Sequence, residues 1–251
     1  MFDEAITDDV LQLSRPDTQW LSTGWNGGTS RCDVAYNMTV PHGWDRTDVH
    51  SYIGERRQDA GFSTEGPTLL TGVGMQHLRG ARLGPVVGYA TVGLSNPAAL
   101  PMDPPEGDVE PGVHDGAFDQ ADREIVDDDD SATRPRNGTV NIIVGTTRSL
   151  TDAAEANLLT VVAEAKAATL LAAVGIPGTT SDAVVVASDP AGESTTFTGS
   201  STAVGAAARA CVRDAIRASF QSRYAEESAP DSVETAKHGV TTRRRAEVFS
   251  P

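Results

Sequence analysis

Residues Gly138–Ala187 read GTVNIIVGTTRSLTDAAEANLLTVVAEAKAATLLAAVGIPGTTSDAVVVA, and the periodicity within this stretch decides the fold class. Thr139–Val144 and Asp182–Ala187 are short, β-branched, nearly continuous apolar runs, the pattern of strands covered on both faces. Between them Leu150–Val174 has helical periodicity. Ser149 or Thr151 can supply its N-cap, and Asp152 and Glu155 stand in the first turn, where negative charge favours the helix dipole. Gly175 and Pro177 stop it. Ala154, Leu158, Val161, Ala165, Ala168 and Ala172 form one apolar stripe, and their small side chains suit close packing on a sheet.

Working outward, Thr202–Phe220 reads as a second helix with Arg209, Arg213 and Arg217 stacked on its polar face. On the N-terminal side, Gln19–Ser22 and Arg31–Val40 look extended, joined by the turn Trp25-Asn26-Gly27-Gly28, whose residues tolerate positive φ. Pro85–Leu94 (PVVGYATVGL) is a further apolar strand that ends at Ser95-Asn96-Pro97. Strands alternating with helices, plus one hairpin, predict an α/β fold: a mixed α+β sandwich, with helices packed on a mixed sheet in a single domain over residues 13–220. Residues 102–137 are rich in Asp, Pro and Gly and read as a mobile acidic insertion, because they cannot bury enough surface to offset their ordering entropy. Residues 221–251 read as a polar, frayed C-terminal tail ending in Arg243-Arg244-Arg245.

Composition narrows the function classes. A formal charge of -15, from 35 acidic and 20 basic residues, excludes a basic nucleic-acid face and disfavours an anionic membrane surface. Lys166 and Lys237 are the only lysines; the remaining basic residues are arginines. Surplus acid with scarce lysine is what keeps a protein hydrated in concentrated salt, where charge repulsion is screened. Cys32 and Cys211 are far apart and in no C-x-x-C pair, which fits a reducing compartment. Met1–Val10 is acidic without an apolar core, unlike a secretory signal, and no unbroken apolar run has the length of a membrane span. The expectation is a soluble cytoplasmic protein, with a homo-oligomer left open.

Chemistry-bearing residues sit at strand ends and Gly-rich turns. Asn26, Gly27 and Gly28 form either a plain hairpin turn or a cradle for a carbonyl oxygen, with Arg31 placed to orient an amide or acid. In Gly178-Thr179-Thr180-Ser181-Asp182 a hydroxyl cluster closes on a carboxylate. It is either a hydrogen-bonded turn or a site in which Asp182 activates water, or Thr180 or Ser181 acts as nucleophile. Glu164 and Lys166 lie about 200° apart on their helix, so they cannot pair with each other; Lys166 is either solvated or kept for ammonium chemistry. The sequence contains no G-x-S-x-G, H-E-x-x-H, P-loop or G-x-G-x-x-G motif opening a helix, and His42, His50, His77, His114 and His238 are scattered singly, so no metal site is read.

Several blocks in order resemble the adenosylcobinamide amidohydrolase family. They are Asn26-Gly27-Gly28, Ala90–Pro97, Gly138–Ile143, Thr151 through Glu164-Ala165-Lys166, Gly178–Ala183, and Thr198–Thr202 leading into the last helix. The resemblance covers Trp20–Leu100 and Gly138–Phe220; the acidic insertion and the basic tail depart from it. It implies hydrolysis of the amide that joins a propionyl side chain of the corrin to aminopropanol, giving adenosylcobyric acid, a salvage step in archaeal cobalamin synthesis. The corrinoid is then the substrate, and no cofactor is required. Within the matching motifs, Asp182 or Glu164 is expected as general base, Lys166 or the Asn26 turn at the oxyanion, and Thr180 or Ser181 as alternative nucleophile. Asn26, Gly27, Gly28, Arg31, Asn96 and Asn141 are the expected substrate-binding residues. Trp25, Trp44 and Tyr89 are candidates to line a site for so large a ligand. The alternatives are a non-catalytic corrinoid-binding protein, and a hydrolase that processes itself before Thr180 or Ser181.

Overall fold

A computed structural model describes residues 1–41, 43–44, 46–103, 138–230, 232–233, 236 and 238–250. The stretch read as a mobile insertion falls outside the described residues from 104 to 137, as do His42, His114 and Lys237. In chain order the elements are β1 (Asp3–Thr7), β2 (Val10–Ser22), β3 (Gly28–Thr39), α1 (Val49–Asp59), β4 (Thr68–Thr71), β5 (Arg79–Leu83), β6 (Val86–Val92) and β7 (Ala98–Ala99). They continue with β8 (Val140–Thr146), β9 (Ser149–Leu150), α2 (Asp152–Val174), β10 (Ala183–Ser188), β11 (Ser194–Thr195), α3 (Ala203–Arg223) and β12 (Val240–Thr241).

Eight strands form one mixed sheet in the order β4-β3-β2-β10-β8-β6-β5, with β1 pairing β2 as a side branch. At its centre β8 and β10 run parallel, Asn141 opposite Ala183, and β6 lies antiparallel to β8, Thr91 opposite Asn141. These strands are buried on both faces, as their apolar runs require. Because side chains alternate, Val140, Ile142, Val144, Val184 and Val186 pack beneath α2 and α3. Ile143, Val185, Ala187, Val87 and Tyr89 point the other way, into a second core shared with Trp20, Leu11 and Leu13 of β2. The sheet curls on that side until β4 approaches β8, where the Leu70 carbonyl accepts from Asn141 Nδ2 at 3.0 Å.

The α/β fold with a mixed sheet matches the sequence reading, and three details differ. The first concerns α2, which is capped by the Thr151 hydroxyl and stopped by Gly175 in the left-handed region (φ 72°). Its buried side runs through Ala154, Glu155, Leu158, Val161, Val162, Ala165, Thr169 and Leu170, leaving Ala168 and Ala172 exposed. The stripe read from sequence repeats every 3.5 residues, whereas a straight helix turns every 3.6, so it drifts off the packed face by about 20° per heptad. This helix has the length and hydropathy of a membrane-crossing one; here its apolar side is packed on the sheet.

Second, the sheet begins at Asp3 rather than at residue 13. β1 is exposed along its length and carries little apolar signal, but it pairs with β2 from Asp3↔Ser14 to Thr7↔Val10, and Phe2 stacks on Trp20 at 5.5 Å. Third, the tail is not wholly frayed. α3 continues to Arg223, and β12 pairs in parallel with β7, Val240 N donating to Pro97 O at 2.9 Å and His238 N to Ser95 O at 3.1 Å. The segment around β7 offers main-chain groups that need partners, and the tail supplies them.

Two outcomes are expected. Leu158, fully buried under the helix face, should cost about 3 kcal/mol as Leu158→Ala in urea unfolding, since a cavity replaces its side chain. Glu155 is 2% exposed, and burial pushes its carboxyl above the usual glutamate range even though Ser188 Oγ donates to it at 2.6 Å. A raised folded-state value favours the protonated form. Its stabilisation is present in acid and lost as pH rises through that value. Glu155→Gln should therefore gain stability relative to the parent as pH rises above the ordinary glutamate range, read as the difference in Tm.

Candidate active site

The pairing of β6, β8 and β10 brings three connecting loops to one end of the sheet: Leu94–Pro97 after β6, Gly138-Thr139 before β8, and Gly178–Asp182 before β10. Asn96 is fully buried at this junction. Its Nδ2 donates to Thr180 Oγ1 at 2.7 Å and Ser181 Oγ at 3.3 Å, and its main-chain carbonyl accepts from Thr180 N at 3.1 Å. Thr139 Oγ1 and Ser181 Oγ share a hydrogen bond at 2.8 Å. Thr180 remains exposed, with its hydroxyl proton free to point outward.

Asp182 anchors the same end. One carboxylate oxygen accepts from Val140 N at 3.0 Å and from the Thr179 hydroxyl; the other accepts from Thr179 N at 3.0 Å and from Lys166 Nζ. Four donors fill the lone-pair sites of an ionised carboxylate. The Lys166 and Asp182 side chains are only 16% and 10% exposed. A Cβ on Gly178 would stand 2.7 Å from Lys166 Nζ and 2.4 Å from Asp182 Oδ2, so that position must be glycine for the pair to close. One Lys166 proton goes to Asp182, leaving the ammonium further donors for another acceptor.

The other candidates are placed differently. Glu164 lies on the outer side of α2, 59% exposed, in an ion pair with Arg209 of α3. Arg31 is bound to Asp17 across the β2–β3 hairpin, and both are largely exposed. Asn141 is buried within the curled sheet, donating to Asn37 Oδ1 at 2.9 Å, while Asn37 Nδ2 donates to Thr91 Oγ1 at 3.1 Å. Asn37 and Thr91 were not singled out from sequence. The available signal was a lone polar residue on an inward position of an apolar strand, as in AYNMTV.

Asn26, Gly27 and Gly28 line a separate cavity of about 340 Å³, bounded by the hairpin turn, by His50 and Arg57 of α1, and by the segment Glu65–Thr68. Asn26 and Gly28 both have positive φ, 49° and 109°. A Cβ on Gly27 would meet Ser22 O at 2.3 Å, so the turn admits only glycine there. Trp25 is 46% exposed at the rim. By contrast, Trp44 is packed against Tyr52, and Tyr89 is buried, donating to Glu4. Thr23 joins the two regions: its N donates to Val184 O at 2.9 Å, and its hydroxyl accepts from Val184 N at 2.9 Å. A groove of about 690 Å³ between α2 and α3, lined by alanines with Arg209, Arg213 and Arg217, contains none of the candidate residues. Among the described residues no three His, Cys, Asp or Glu side chains gather as a metal site.

A family model for adenosylcobinamide amidohydrolase matches residues 3–228. The chain is 53% identical, over the whole of both proteins, to one named adenosylcobinamide amidohydrolase from Halobacterium salinarum. It is 27% identical to a protein of the same name from Methanosarcina mazei, over 87% of this chain and 97% of that one.

The turn geometry gives a paired expectation. Gly27→Ala should lose about 1–3 kcal/mol of stability through main-chain displacement, whereas Asn26→Gly should stay within about 1 kcal/mol, because glycine adopts positive φ freely. Thermal unfolding of the two variants checks this.

Proposed function

The chain belongs to the adenosylcobinamide amidohydrolase family, and from that premise we propose that the reaction takes place at the sheet end where Lys166, Asp182, Thr180, Ser181 and Asn96 gather. The activity is hydrolysis of the amide of adenosylcobinamide to adenosylcobyric acid and aminopropanol, a step of cobalamin salvage. The observation that carries the placement is the Lys166–Asp182 pair. Every other ion pair among the described residues uses arginine, yet this recessed position uses one of only two lysines.

Amide hydrolysis adds water to the carbonyl carbon, places negative charge on the carbonyl oxygen, and then breaks the C–N bond as the nitrogen takes up a proton. Lys166, held by Asp182 with donors to spare, meets the developing oxyanion. As an ammonium it also supplies a proton to the departing nitrogen and, once neutral, takes one back from the oxygen that water brought; the second water proton passes from the new acid to the released amine, which leaves as an ammonium beside a carboxylate. Thr180, whose oxygen accepts from Asn96, turns its proton toward the same oxyanion. Asp182 works through Lys166, since its acceptor sites are already filled. Ser181 and Asn96 hold the loop in shape. Glu164, engaged by Arg209 on the surface, stands outside the chemistry. The corrin lies against the exposed Trp25 and the Asn26-Gly27-Gly28 turn, an apolar face meeting an aromatic one. Chemistry of this kind calls for no cofactor, and the acidic surface suits a soluble enzyme of the cytoplasm.

Lys166→Met should lower kcat by about 10²–10³, read as aminopropanol released from adenosylcobinamide by mass spectrometry, with the fold checked by circular dichroism. Glu164→Gln should turn over at close to the parent rate. Full activity in folded Lys166→Met would remove lysine from the mechanism.

A further inference from the structure

Strand β7 and the residues leading into it, 95–99, are hydrogen-bonded along both edges. On one edge the carbonyls of Ser95, Pro97 and Ala99 accept from the tail: His238 N at 3.1 Å, Val240 N at 2.9 Å and Thr242 N at 2.9 Å. On the other, Ala98 N donates to Gly178 O at 2.9 Å, the Asn96 main-chain carbonyl accepts from Thr180 N at 3.1 Å, and Pro97 is bridged to Thr179. Extended backbone turns successive peptide groups to opposite edges, so the carbonyls of 95, 97 and 99 face the tail while those groups of Asn96 and Ala98 face the Gly178–Asp182 loop. Segment 95–99 is the middle of three layers, with the tail outermost.

The tail contributes little packing. Among the described residues from 229 to 250 none is buried, and Val240 is 45% exposed. The family match stops at residue 228, before this strand begins. Main-chain bonds rather than apolar burial tie residues 238–242 down. Without them, segment 95–99 would be held from its inner edge alone, and backbone held so lightly opens locally at low cost.

We infer that the tail strand is a positioning element of the active site, one that holds the Thr180 hydroxyl in place for the oxyanion by fixing the main chain on both sides of Asn96. The inference rests on the catalytic placement given above. Asn96 is the lever: it is fully buried, its Nδ2 donates to Thr180 Oγ1 at 2.7 Å, and the carbonyls flanking it, those of Ser95 and Pro97, are both bound by the tail. Val240 and Thr242 act through their N–H groups and touch no reacting atom, so they are positioning residues.

The test measures kcat and KM for adenosylcobinamide in the full chain, with Tm recorded for each variant. Val240→Pro deletes the N–H that reaches Pro97 O and should lower kcat by about tenfold to a hundredfold with KM little changed. Val240→Ala keeps that N–H and should turn over like the parent. A second comparison separates positioning from general loosening. In a Thr180→Val background the hydroxyl being positioned is already gone, so adding Val240→Pro should lower kcat no further. Parent-like kcat in folded Val240→Pro, or an equal loss in both backgrounds, would overturn the inference. If Val240→Pro fails to fold, Thr242→Pro removes the outermost of the three bonds and decides by the same two comparisons. Thr180→Val at the parent rate would strike Thr180 from the catalytic reading and the tail's role with it. Slow Thr180→Val beside parent-like Val240→Pro strikes the tail alone.

Discussion

Four donors from separate stretches of chain converge on the carboxylate of Asp182: the first amide of β8, the amide and hydroxyl of Thr179, and the ammonium of Lys166 from the middle of α2. A charged group this far from water persists only when its hydrogen-bonding capacity is filled, and removing any one partner leaves the others exposed to an unbalanced charge. The arrangement therefore sets the register between α2 and the two central parallel strands. Gly178 is dictated by it, because no side chain fits beside the paired atoms. Asn96 extends the same lattice to the loop after β6 through Thr180 and Ser181. The end of the sheet is consequently one connected polar network over an apolar core, and it is held in place before any substrate arrives.

What could be read from sequence was what depends on neighbours in sequence. The strand–helix–strand unit, the Thr151 cap, the Gly175 stop and the Asn26-Gly27-Gly28 turn are local, and local propensity specifies each of them. The separation of Glu164 from Lys166 was also legible, since it follows from helical geometry alone. Which partners they would choose was not. Arg209 comes from α3 and Asp182 from the loop before β10, and nothing local names either. The buried contact of Asn37 with Asn141 and Thr91 joins residues 104 and 54 apart, and the curl of the sheet that creates it leaves no period in the sequence. The cavity wall contributed by α1 was invisible for the same reason: Arg57 looks like an ordinary helix arginine until β3 is folded against it.

Charge is distributed unevenly between two roles. Arginine pairs at the surface, as in Arg31–Asp17 and Arg46–Glu55, are exposed and worth little each. They keep both signs interspersed on a strongly acidic protein. The pair recessed on both sides is the one made by lysine, a compact ammonium on a flexible stem.

The tail strand gives the molecule a temporal constraint as well as a spatial one. Residues 238–242 hold the main chain of 95–99, including the carbonyls flanking Asn96, although some 140 residues separate the two in sequence. During synthesis the chain emerges from its N-terminus, so this loop leaves the ribosome long before its last main-chain partners exist. Its final shape waits for translation to pass residue 242, and a nascent chain that has already assembled its sheet still lacks a finished rim.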